Sequence, residues 1–412
     1  MSDKPKPTGP IPAGFEARDG ALLIGTRTAD EWVEQTGRTP LFLYSQALLE
    51  RRMAELRAAM PERLRINYAI KANSFEPVLK LMATLVDGLD IASGGELALV
   101  QQAGIDTARV SFAGPGKRDS ELEAAIAAGV TLNLESEGEA ARALAIAERL
   151  GVTPRLAIRV NPDFELKGSG MKMGGGAKPF GVDAERVPAL AREVIAAGAE
   201  WRGLHIFTGS QALDAEALVE TQGNVLDLAD RIAREAEIAM PKLNMGGGFG
   251  IPYFHGDQPL DIVRVGEALA ERFAALPASL AEAELYIELG RYLVGEAGVY
   301  LTRIVDRKVS HGETYLVTDG GLHHQLAASG NFGTVVRRNY PVALAAQLDA
   351  PPAEIASVVG CLCTPLDRLA DRAALPRAQV GDLVAVFCAG AYGASASPSA
   401  FLGQGPAAEL LV

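Results

Sequence analysis

The chain has 412 residues, a formal net charge of -12 and a sequence pI near 5.1, which argues against nucleic acid or an anionic membrane as its main partner. No apolar run is long enough to span a bilayer, and the polar, Pro-rich opening Met1-Ser2-Asp3-Lys4-Pro5-Lys6-Pro7 lacks the apolar stretch of a secretion signal. Three cysteines, Cys361, Cys363 and Cys388, without a CxxC pair suggest neither a disulfide framework nor a zinc site, so the cytoplasm is the expected compartment.

Residues 1–20 read as a flexible terminus. The short apolar runs Ala21–Ile24 and Leu41–Tyr44 follow and are expected to join a β domain further along. From residue 64, apolar, β-branched runs alternate with helical-period segments. The runs are 64–70, 88–93, 109–114, 131–136, 155–161, 203–209, 242–248 and 284–290, and the helical stretches include Glu121 to Ala128, Glu137 to Leu150 and Ala184 to Ala197. Alternating β and α elements imply a parallel sheet in the α/β class, and eight repeats close a (β/α)8 TIM barrel; a doubly wound open sheet is the alternative. The barrel is expected over residues 45–295. After residue 296, Gly298–Val305, Tyr315–Thr318, Ile355–Cys361 and Asp382–Cys388 predict a second, all-β, Greek-key-like domain made of 21–44 and 296–412. Gly168–Gly181, with three consecutive glycines, is expected to be a loop lying over a site as a lid.

Barrel enzymes place their chemistry at the C-terminal strand ends. Here those ends carry Lys71, Asp90 to Glu96, Arg159-Val160-Asn161-Pro162, His205 to Gln211, Gly246-Gly247-Gly248-Phe249-Gly250 and Glu288-Leu289-Gly290-Arg291. A lysine at a strand end can hold an aldehyde cofactor as a Schiff base when an apolar wall favours its neutral form; alone it reads as a surface lysine capping a strand. Bare glycine amides after the seventh run and Arg291 after the eighth suit a phosphate, although the glycines alone could be a tight turn. A carboxylate at Glu288 suits the protonated ring nitrogen of a pyridine cofactor. Lysine, phosphate loop and acid together point to pyridoxal 5'-phosphate.

These residues, with Tyr68-Ala69-Ile70-Lys71-Ala72-Asn73, Gly209-Ser210-Gln211, Cys363 with Asp367, and Gly390-Ala391-Tyr392-Gly393-Ala394, resemble the fold type III pyridoxal-phosphate decarboxylases of diaminopimelate, ornithine and arginine. The resemblance implies that Lys71 holds the cofactor, Glu288 faces its ring nitrogen, and Ser210, Gly247, Gly248, Gly290, Arg291 and Tyr392 bind its phosphate. Asp90, Arg159, His205 and Phe207 complete the cofactor set. It also implies a homodimer with shared sites, to which Cys363, Asp367 and Tyr392 are contributed by the partner's β domain; Cys363 or the freed Lys71 is the expected proton donor, and Arg291, Asp367 and Tyr392 are expected to reach substrate. Cys363 could otherwise be a buried apolar thiol.

Two departures bear on substrate. Phe207 stands where the family stacks a histidine on the cofactor, with His205 two residues earlier; Phe207 is expected to stack, the alternative being that His205 swings in. Cys363-Thr364-Pro365 replaces the Cys-Glu-Ser of diaminopimelate decarboxylases, and Leu322 to Ala328 lacks their arginine and tyrosine. The Phe207-Thr208-Gly209-Ser210-Gln211 and Cys363-Thr364-Pro365-Leu366-Asp367 stretches resemble exosortase-associated and antibiotic-pathway relatives, implying an amino acid whose side-chain carboxyl is masked as a carrier-protein thioester. Release of CO2 from an L-amino acid or such a tethered derivative is therefore expected. A free diaminopimelate or basic amino-acid decarboxylase, a racemase and a non-catalytic regulator on the same fold are the alternatives. Five histidines show no metal-ligand spacing, and no metal is expected.

Overall fold

Strands buried on both faces favour apolar sequence, and the eight runs are apolar-rich, with the polar residues Asn67, Asp90, Arg159, His205 and Glu288 buried among them. In the computed structural model, which describes residues 4–168, 170–330 and 337–412, they form β1 (Arg65–Ala69), β2 (Gly88–Ile91), β3 (Val110–Phe112), β4 (Thr131–Leu134), β5 (Arg155–Asn161), β6 (Glu200–Ile206), β7 (Lys242–Asn244) and β8 (Glu284–Leu289). Each pairs in parallel with the next, and β8 pairs with β1 through Tyr286–Arg65 to Leu289–Tyr68, so the sheet closes into a barrel. Tyr68, Phe112, Leu132 and Ile287 are among its fully buried side chains. Each large apolar side chain so buried contributes about 1.5–3 kcal/mol.

Several strands stop earlier than the apolar runs. β4 ends at Leu134 because Ser136 turns to accept the Glu139 amide and cap the helix Glu137–Leu150, which Gly151 terminates at φ 63°. β7 ends at Asn244 because Gly246 takes φ 68°. The helix expected from Ala184 begins at Val187, with Pro188 in its first turn, and the one expected from Glu121 begins at Asp119.

The chain divides into two compact units. The barrel unit comprises Met53–Gly250 and Pro259–Gly290; the other comprises residues up to Arg52, Ile251–Gln258 and Arg291–Val412. The boundaries differ from the expected 45–295 division in three places. The helix Gln46–Ala59 is divided at Arg52, Arg291 falls in the second unit, and Ile251–Gln258 joins it because Tyr253 packs on Tyr340 with ring centroids 4.7 Å apart.

In this second unit the long strand Gly298–Ser310 is central, pairing antiparallel with Leu41–Tyr44, Leu383–Val386 and Glu313–Thr318. The sheet is mixed, since Glu313–Thr318 runs parallel to Glu354–Val359 and Leu41–Tyr44 parallel to Ala408–Leu411. Leu41–Tyr44 thus joins the β domain as a strand. Ala21–Ile24 does not: it pairs with Glu16–Arg18 and Arg27–Thr28 in a small sheet of its own, yet Leu22 and Ile24 share a core with Leu41, Val299 and Phe387. Residues 4–20, read from sequence as a flexible terminus, make specific contacts: Lys6 pairs with Asp371 and the Gly9 amide donates to Asn339 O at 3.1 Å; residues 1–3 lie outside the described residues. Among the described residues no helix is long and apolar enough to cross a membrane.

Candidate active site

A cavity of about 210 Å³ opens at the C-terminal strand ends of the barrel unit, and Lys71, Asp90, Arg159, His205, Phe207 and Glu288 all line it. Lys71 lies one step past β1, on the single turn Ile70–Ala72, which lifts its side chain out of the strand and leaves it exposed to the cavity. The expected burial against an apolar wall is thus only one-sided: Nζ stands 5.7 Å from the centroid of the Phe207 ring. Gly290 backs this turn, and a Cβ there would lie 2.9 Å from that of Ala72.

Glu288, near the end of β8, is buried, with Oε2 2.9 Å from His205 Nε2 and 3.4 Å from Asn244 Nδ2. Burial pushes its carboxyl up, but the hydrogen bond and charge of His205, with Lys71 and Arg159 beyond, more than offset this and hold it down to about 2. His205 is therefore bound to the acid in the barrel interior, while Phe207, two residues on along the same edge, presents the ring nearer Lys71. Asp90 behaves oppositely. Burial and the nearby Glu288 raise its carboxyl to about 8, and Oδ1 accepts a hydrogen bond from Ser111 Oγ. Arg159 donates to Glu135 Oε1 at 2.8 Å, and its guanidinium lies 5.0 Å from the Phe180 ring centroid.

The glycine loop after β7 is more than a tight turn. Gly246 and Gly248 have φ 68° and 90°, and a Cβ on Gly247 would lie 2.0 Å from Glu288 O, so the backbone runs bare against the eighth strand end. Ser210 Oγ is buried and has no hydrogen-bond partner among the described residues; it lies on the two-residue strand Gly209–Ser210, which pairs with Met171–Lys172. The segment expected to be a lid is tied down along its described length: Met173 and Gly174 amides donate to Thr208 O, Asn161 Nδ2 donates to Gly176 O at 2.9 Å, and Met173 and Phe180 line the cavity. Ser169, within that expected segment, lies outside the described residues.

In the second unit, Arg291 donates to Tyr253 Oη at 2.7 Å, and its guanidinium stands 4.8 Å from the Tyr392 ring centroid. Tyr392 itself adopts φ 56°. Cys363 is exposed on the turn before Asp367. The Asp367 carboxylate is buried and each oxygen accepts an amide, Oδ1 that of Leu322 at 2.7 Å and Oδ2 that of Leu362 at 2.8 Å. Gly321 and Gly360 leave it room, since a Cβ on either would lie within 2.2 Å of a carboxylate oxygen. It joins two turns.

A family described as pyridoxal-dependent decarboxylase, pyridoxal binding domain, matches residues 46–295. The chain belongs to the pyridoxal-dependent decarboxylases. It is 35% identical over 379 residues to the L-glutamyl-[BtrI acyl-carrier protein] decarboxylase of Niallia circulans, covering 90% of this chain and 88% of that one. It is 34% identical to the diaminopimelate decarboxylase of Archaeoglobus fulgidus, covering 97% and 93%. The solved diaminopimelate decarboxylase of M. jannaschi superposes with a TM-score of 0.86 at 26% identity, covering 96% and 92%. As in other pyridoxal-dependent decarboxylases the cofactor is pyridoxal phosphate, and the cavity fits it. A buried serine hydroxyl without a partner among the described residues and a bare glycine backbone suit its phosphate, a carboxylate held anionic suits its ring nitrogen, and an aromatic ring flanks the lysine.

Sequence reasoning missed Glu135, Phe180, Asn244 and Tyr253. Glu135 had a signal, being the carboxylate that directly follows β4; its oxygens accept the Gly114 and Gly181 amides as well as Arg159. Tyr253 follows the glycine loop by three residues. Phe180 and Asn244 carried no distinguishing pattern.

Proposed function

We propose that this pyridoxal-dependent decarboxylase removes the α-carboxylate of an L-amino acid whose side-chain carboxyl is masked as a thioester on a carrier protein. Because the α-carboxylate must be free to leave, the tether falls on the side chain. The observation carrying this reading is the turn after Asp319-Gly320-Gly321. His323, His324 and Gln325 are all buried, burial lowers both imidazoles, His324 to about 4, and the stretch is uncharged at neutral pH. A buried neutral turn suits a masked distal group better than a second carboxylate, which calls for a charged partner. The likeness to the Niallia circulans enzyme supports the same substrate class.

Bound pyridoxal phosphate supplies an electron-poor ring that takes up the electron pair left when CO2 departs. Lys71 would be the amine that holds its aldehyde. Glu288, held anionic beside His205, would keep the ring nitrogen protonated, and Phe207 would flank the ring. Ser210, Gly247, Gly248 and Gly290 would hold the phosphate; Arg291 and Tyr392 are assigned to it by the family motif alone. Cys363, by the same motif, returns a proton to Cα from the partner chain of a homodimer, and Asp367 positions its turn. A cytoplasmic setting accords with the absence of cysteine pairing motifs.

CO2 release is measured from L-glutamate as a side-chain thioester on an acyl carrier protein, and from free glutamate, diaminopimelate, lysine, ornithine and arginine. Release from the tethered substrate and not from the free ones is expected. Turnover of free diaminopimelate instead would favour the second reading, which the 34% identity to the Archaeoglobus fulgidus enzyme supports.

A further inference from the structure

Although the chain carries a net charge of -12, neighbouring segments of the second unit bring Lys6, Arg337, Arg338 and Arg368 together. Lys6 and Arg368 meet opposite oxygens of Asp371, and the Lys6 amide donates to Arg372 O at 2.9 Å. Asn339 locks the neighbouring segment in place, its Oδ1 accepting the Asp371 amide and its Nδ2 donating to Asp371 O, each at 2.8 Å. Arg337 and Arg338 immediately precede it. Arg338 lies 3.8 Å over the Phe254 ring and 3.9 Å from Asp257, and burial together with the nearby Arg368 lowers Arg337. Lys6 and Arg368 share Asp371, and Arg338 meets Asp257, so among the described residues Lys6, Arg337, Arg338 and Arg368 outnumber the carboxylates they meet in a molecule that is negative overall.

The cluster also runs into the turn that carries Cys363. Arg337 Nη2 approaches Leu366 O at 3.4 Å, and the Leu366 side chain is 54% exposed, as is that of Arg338. Fastening the N-terminal segment uses Lys6, Arg368 and Asp371; Arg337 and Arg338 stand outside that fastening. A cationic cluster beside the turn bearing the assigned proton donor is suited to an acidic protein surface.

We propose that this cluster docks the carrier protein, through acidic side chains on the carrier, when it presents the tethered substrate; the proposal rests on the tethered-substrate reading above. An acidic partner is repelled by the molecule as a whole and attracted here, so the patch fixes where it lands and raises the rate at which it does so.

The test compares the holoenzyme with its R337E/R338E and R337K/R338K forms. The probes are L-glutamate as a side-chain thioester on an acyl carrier protein and the same thioester on pantetheine alone. For R337E/R338E, KM for the carrier-borne substrate should rise about tenfold or more, with kcat changed less than about twofold and the pantetheine substrate unaffected. R337K/R338K should retain most of the affinity, and added salt should weaken carrier turnover in the parent more than in R337E/R338E. Equal losses on both substrates, or an unchanged KM for the carrier, would overturn the docking surface. So would a fall in solution mass on charge reversal, which would make the face an interface between copies of this chain. If the unsubstituted enzyme releases no CO2 from either thioester, the tethered-substrate reading itself fails; if it turns over both and only the docking contrast is missing, that reading stands and the surface alone is refuted.

Discussion

Replacing Asp90 by asparagine should remove a pH dependence of stability built into the barrel interior. In the folded protein this carboxyl is raised from 3.8 to about 8 by burial and by Glu288, so it stays protonated through neutral pH, whereas in the unfolded chain it ionises near 3.8. A raised acid favours the folded state fully below the unfolded value, and that advantage is lost as pH climbs through the folded value. The slope is about -1.4 kcal/mol per pH unit across this window, or about 4 kcal/mol between pH 5 and 8. Coupling to Glu288 makes this an upper bound. Spread over the unfolding entropy of a 412-residue chain, roughly 0.9 kcal/mol/K, it corresponds to at most about 5 °C in Tm. Asparagine keeps the acceptor for Ser111 Oγ and cannot ionise. Scanning calorimetry of cofactor-free parent and D90N at pH 5, 6, 7 and 8 should show the parent losing Tm relative to the variant as pH rises. A constant difference between the two across that range would refute the reasoning.

Three further outcomes are expected. Glu288→Gln removes the anion that stands 2.9 Å from His205, and kcat should fall by about 10²–10³ with cofactor still bound, as read by CO2 release together with the cofactor absorbance. Phe207→Ala should weaken cofactor retention by about tenfold through the lost ring contact, with Phe207→His restoring most of it, measured by equilibrium dialysis against pyridoxal phosphate. Gly247→Ala forces a Cβ to 2.0 Å from Glu288 O, and the chain should lose cofactor or fold poorly; a variant with parental Tm and cofactor content would contradict the packing.

The barrel was legible because short apolar-rich runs alternate with helical-period segments eight times between Arg65 and Leu289, the pattern of a parallel sheet whose strands are buried on both faces. The cavity was legible for a related reason: closure carries strand ends distant in sequence to one rim, so Lys71, Asp90, Arg159, His205 and Glu288 converge without any local signal. Contacts set by side-chain direction were not legible. Nothing in the spacing of His205 and Phe207 says which meets Glu288, and nothing beside Asp367 says that two amides from separate turns occupy both its oxygens. Ala21–Ile24 has strand composition, but its pairing partners were decided by the turns on either side of it.

The Asp367 joint has an evolutionary corollary. Because one carboxylate holds the Leu322 amide and the Leu362 amide together, the segment bearing His323 and Gln325 and the segment bearing Cys363 share an anchor. A change of register in one displaces the other. New selectivity is therefore reached more readily by exchanging both segments as a matched cassette than by single replacements in either, and chimeras that swap only one should inherit neither parent's preference.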